Sequence, residues 1–111
     1  MQKRKTRLNV EWMPRSIEDL FEIAQYVHER ASSEAAETLL ASLHATGEAL
    51  APHPQLWRVR SELKMQDVRF APTQSYFICY RIVNTDIQIL RVIHKRRDIA
   101  ALFAQFEEDI L

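Results

Sequence analysis

From Ser75 to Asp98 the chain reads SYFICYRIVNTDIQILRVIHKRRD, two long strand-like runs joined by a short turn and closed by a basic cluster. In the first run, alternation puts Tyr76, Ile78, Tyr80 and Ile82 on one face and Phe77, Cys79, Arg81 and Val83 on the other. Both faces are largely apolar, which places this strand inside a sheet covered on both sides. Asn84-Thr85-Asp86 supplies the hairpin turn, and Ile87 to His94 returns beside the first run.

Outward from this hairpin, Val68 and Phe70 alternate with polar neighbours and predict a short strand before Pro72. Gln55 to Met65 has no clear period and reads as an irregular or edge segment. Pro52 and Pro54 end the helix before it, because each disfavours helix at the preceding residue. That helix starts near Glu34, with Ala36, Leu39, Leu40, Leu43, Gly47 and Leu50 on one side. Gly47, the only glycine, costs about 1 kcal/mol relative to Ala inside a helix, so close packing is its expected use. An earlier helix spans Ile17 to Arg30, with Ser16 and Asp19 approximating a capping box, and Ser32-Ser33 separates the two. Leu8, Val10 and Trp12 alternate as a half-buried first strand ending at Pro14. After the hairpin, Asp98 is placed to cap a last helix with Ile99, Leu102, Phe103, Phe106 and Ile110 on one face. The order is β-α-α-β-β-β-α, an α+β fold in which an antiparallel helical hairpin covers a mainly antiparallel twisted sheet.

At 111 residues the chain fits one domain, residues 1–111. Lys plus Arg and Asp plus Glu both number 15, so general attraction to nucleic acid is not expected from the total charge. One cysteine, Cys79, excludes a disulfide framework and points to a reducing, cytoplasmic setting. The basic start is followed by Asn9, Glu11 and Pro14 instead of an apolar signal core, and no run is long enough to span a bilayer. Glycine-rich phosphate loops, HExxH, CxxC and nucleophile-elbow motifs are all absent from the sequence. His28, His44, His53 and His94 sit in separate elements without ligand spacing, so neither a metal nor a cofactor is expected. Cys79, mid-strand among aromatics, reads as buried filler. The cluster Arg91, His94, Lys95, Arg96, Arg97 has two readings: a basic ridge for a partner, or arginines pairing with Asp98 or with the acidic helical hairpin.

The segments YFICYRI (Tyr76 to Ile82) and ILRVIHKRRD (Ile89 to Asp98), in this order of elements, resemble the RelE/ParE superfamily of bacterial toxins, most closely its ParE branch. The likeness covers residues 8 to 100 or so and is most specific at the second segment. It implies a toxin neutralised by a cognate, ParD-like antitoxin, with which it forms a hetero-oligomer. RelE-like members cleave mRNA on the ribosome, whereas ParE-like members inhibit DNA gyrase, making gyrase a second expected partner. RelE-like nucleases usually carry two lysines on the second sheet strand, an Arg after the Tyr opening the next strand, an Arg after the last strand, and a Tyr or His in the last helix. Here those places hold Asp67, Val68 and Arg69, then Phe77, then Arg96 or Arg97, then Ile99, Leu102 and Phe103. No catalytic residue is therefore assigned, and binding is the expected mode of action. A nuclease with a rearranged site, using Arg69, Arg96, Arg97 and His94, is the alternative, and a non-toxic relative is a third reading. Expected partner contacts are Trp57, Arg58, Arg69, Phe70, Arg91, His94, Arg96, Arg97, Leu102, Phe103 and Phe106.

Overall fold

The computed structural model describes residues 8–60, 67–99 and 101–102. Strand β1 (Asn9–Trp12) leads into helices α1 (Pro14–Arg30) and α2 (Ser33–Glu48), followed by strands β2 (Arg69–Thr73), β3 (Tyr76–Val83) and β4 (Asp86–His94). The sheet order is β1-β4-β3-β2. β3 is antiparallel to both neighbours, and β1 runs parallel to β4 with Asn9 opposite Asp86 and Trp12 opposite Ile89. The two long runs therefore form the sheet's centre, as their two apolar faces require.

One face carries the helical hairpin over a core of Leu43, Leu50, Ile78, Tyr80, Ile87 and Ile89, with Leu20, Ile23 and Leu39 packed against it. The other face buries Val68, Phe70, Cys79, Leu90, Ile93 and Leu102, with Ile99 at their border. Asp98 caps the segment that brings Leu102 there: its side chain accepts from Ala101 N–H (3.2 Å) and its carbonyl from Leu102 N–H (3.0 Å). Most of the expected last helix lies outside the described residues.

Four local details differ from the sequence reading. α1 begins at Pro14, whose fixed φ suits the first helical position, and Met13 occupies the cap without a side-chain bond. Ser16 is not a cap: it is fully buried and its hydroxyl donates to the Met13 carbonyl (2.6 Å), leaving Asp19 for another role. β2 continues through Pro72, which stands opposite Phe77; a residue without N–H is tolerated there because β2 is an edge strand. The β3–β4 turn is shorter than expected, with Asn84 at φ 55 and Asp86 already in β4.

Gly47 has the packing role its position suggests. A Cβ there would overlap the Trp12 ring and lie 2.9 Å from Ile89. The ring is held in place by donation from its Nε1 to Glu48 (3.0 Å) and by stacking on His44, with centroids 5.6 Å apart. Tyr80, fully buried, donates to the Pro54 carbonyl (2.7 Å) and so fixes the connector after α2.

Candidate partner-binding cleft

β1 is four residues long and pairs only with Asp86–Ile89, whereas β4 continues to His94. Among the described residues, no strand lies beside β4 on its β1 side beyond Ile89. α1 takes that place, because the chain turns into the helix directly after Met13 N–H bonds the Ile89 carbonyl (2.9 Å). One turn into α1, Asp19 meets the open edge. Its Oδ2 accepts from the Val92 N–H (2.9 Å) and from Arg91 Nε (2.8 Å), and its Oδ1 accepts from Arg91 Nη2 (3.0 Å). Both side chains are about one-twentieth exposed. A carboxylate is well suited to this position: it satisfies a strand N–H that would otherwise lack a partner and holds the buried guanidinium by a two-point fork.

Next to this pair opens a cleft of about 520 Å³ between α1 and the end of the central hairpin. Glu22, Ile23 and Tyr26 line its helix side, Leu39 reaches in from α2, and Gln74, Ser75, Tyr76, His94 and Arg97 line the opposite side. A shallower depression of about 440 Å³ adjoins it across the helical hairpin, sharing Leu39 and Gln74 and reaching Val27 and Thr38. The cleft combines apolar walls with a few placed polar groups, the usual make-up of a recognition site.

Burial, followed by the neighbouring Tyr26, pushes the Tyr76 phenol above its ordinary range, so its hydroxyl stays neutral and able to donate. The His94 ring meets Tyr76 edge-on, with centroids 5.2 Å apart, and its Nδ1 accepts from the Arg96 N–H (3.0 Å). With Nδ1 accepting, the proton of the neutral imidazole sits on Nε2, which is left as a donor. The Arg97 N–H closes the same turn onto the His94 carbonyl (3.0 Å). Among the described residues, neither Arg97 nor Glu22 forms an ion pair, so the two sides of the cleft carry opposite, uncompensated charges.

The residues expected from the sequence divide between two places. Arg91, His94 and Arg97 come together at the cleft, with exposed Arg96 beside them. Arg91 takes the structural reading, since its guanidinium is committed to Asp19. Trp57, Arg58, Arg69 and Phe70 lie instead toward the β2 edge. Arg69 Nη1 donates to the Trp57 carbonyl (2.7 Å), and Arg58 Nη1 to the Val59 carbonyl (3.2 Å). Phe70 and Leu102 were expected on exposed apolar surface; both are buried in the core of the sheet's second face. Phe103 and Phe106 lie outside the described residues. Sequence reasoning missed Asp19, Glu22, Ile23, Tyr26, Tyr76 and the Gln74-Ser75 turn. One signal was available: Asp19, Ile23 and Tyr26 fall at i, i+4 and i+7, a stripe in which a carboxylate interrupts an otherwise apolar side of the helix.

The groups of the alternative nuclease site do not converge. Arg69 stands opposite Tyr80 and His94 opposite Tyr76. Four residues of strand, about 13 Å, therefore separate their levels. The Phe77 position is occupied by a ring in edge contact with Phe70, with the Arg60 guanidinium 5.4 Å above it. Cys79 is fully buried, and that burial drives its thiol far above the ordinary range, so it offers no nucleophile.

Residues 10–99 match the family model described as the ParE toxin of the type II toxin-antitoxin system, parDE. Among solved structures, one titled "Chromosomal ParDE TA system from P. aeruginosa" superimposes with a TM-score of 0.69 at 18% identity, covering 78% of this chain and 95% of that one. No curated protein sequence matches.

Proposed function

Because this chain belongs to the ParE toxin family of type II toxin-antitoxin systems, we propose that it acts in the cytoplasm by binding DNA gyrase, and that its antitoxin silences it by occupying the cleft between α1 and the central hairpin. The observation that carries this reading is the placement of the basic side chains. Arg69 is engaged by the Trp57 carbonyl at one edge of the sheet, while His94 and Arg97 face the cleft at the other end of β3. Phosphodiester cleavage needs an acid, a base and a cation within hydrogen-bond reach of one phosphate, whereas a binder needs only complementary surface. The cleft and its neighbouring depression supply such a surface across the helical hairpin, of a size suited to one side of an amphipathic segment.

Induced expression without the antitoxin tests the mode of action. Filamentation and DNA-damage signalling with intact mRNA are the expected result, together with full toxicity of His94→Gln. Rapid ribosome-dependent mRNA cleavage that His94→Gln abolishes overturns the reading.

A further inference from the structure

The cleft is chemically lopsided. Its α1 side presents Glu22, and the opposite end presents Arg97 and the His94 ring. The Arg97 guanidinium has no carboxylate partner among the described residues, and His94 is oriented by the Arg96 N–H so that Nε2 is its free donor. Tyr76, whose ring braces His94, also lines the cleft. Donors therefore gather at one end of an apolar trough, and Ile23 and Leu39 line the trough beside them. Planar, charged donor sets of this kind fit a carboxylate, and Arg is the side chain that holds one by a two-point contact.

We infer that the His94–Arg97 end of the cleft receives an Asp or Glu side chain of the antitoxin, next to an apolar residue seated against Ile23 and Leu39. This rests on the reading of the cleft as the antitoxin's seat and adds the chemistry by which it is recognised. The acidic side chain supplies the charge that Arg97 lacks among the described residues. The same arrangement rejects a segment with a basic residue at that point, since a like charge would be held against Arg97.

The test uses the folded toxin and its cognate antitoxin, with affinity measured by calorimetry and folding checked by thermal melting. Three toxin variants separate the possibilities. Arg97→Glu inverts the proposed anchor at an exposed position. Arg97→Lys keeps the charge but loses the fork. Ser75→Trp, at another exposed position, fills the cleft without altering its charge. The expected results are roughly 30- to 100-fold weaker binding for Arg97→Glu, a smaller loss for Arg97→Lys, and recovery of the Arg97→Glu loss by changing one antitoxin Asp or Glu to Lys. Loss of binding with Ser75→Trp but not with Arg97→Glu overturns the carboxylate anchor and leaves the cleft as the antitoxin's seat. Unchanged binding in both variants overturns the seat and the anchor together.

Discussion

Asp19 does the work of a missing strand. Where β1 stops, one carboxylate accepts from both the Val92 N–H and the buried Arg91 guanidinium. Buried pairs are unforgiving of losing one member, because the other remains charged and desolvated. Asp19→Ala is therefore expected to cost about 3–5 kcal/mol in denaturant unfolding, more than Arg91→Met, after which the Asp19 carboxylate still accepts from the Val92 N–H and lies 4.0 Å from Arg15. Equal losses from the two substitutions would overturn this asymmetry. This pairing was not legible in the sequence. Three residues after Ser16, Asp19 had a plausible local use as part of a capping box, and its actual partner lies 72 residues away. Local hydrogen-bonding rules have no access to that distance. His94 and Arg97 were visible as candidates because a basic run after a strand is a local feature, but the groups facing them from α1 were not.

At the scale of elements, the central hairpin and both helices follow from periodicity, and the structure has them where the pattern put them. What periodicity could not supply was the parallel docking of β1 on β4: four alternating residues are compatible with either edge of the sheet and either direction. Trp12 and Gly47 show how that docking is fixed, since only a residue without a side chain lets the indole lie flat against α2. Gly47→Ala would ordinarily stabilise a helix by up to about 1 kcal/mol. Here the added methyl meets a ring fixed by Glu48 and His44, and a net loss of about 1–3 kcal/mol is expected. In a Trp12→Val background the same substitution should become neutral or stabilising. A double-mutant cycle of melting temperatures measures the reversal, and its absence would mean that the glycine serves some other need.

For the molecule as a whole, one consequence of the packed hairpin is sensitivity to alkali. Burial raises the native ionisation of Cys79, and likewise that of Tyr80 against the opposing pull of Arg69; Tyr76 is raised too. The unfolded chain releases these protons at ordinary values, 9.0 for the thiol and 10.0 for the phenols, and the native chain only at higher pH. The stability contributed by the neutral groups is thus complete below pH 9.0 and declines as pH rises past it. The thiol alone gives a limiting slope of about 1.4 kcal/mol per pH unit. Cys79→Ala should lower stability at pH 7 yet flatten the decline between pH 9 and 10, as read from unfolding midpoints; an unchanged slope would place its origin elsewhere. The parallel pairing of β1 with β4 also orders events in time. Asn9–Trp12 has its strand partner only once Ile89 has been made, and Asp19 has its own only with Arg91 and Val92. A chain still emerging from the ribosome, or cut short before residue 90, therefore lacks the Arg91 to Arg97 part of the cleft, and the complete binding surface arises late, after nearly every residue described has been synthesised.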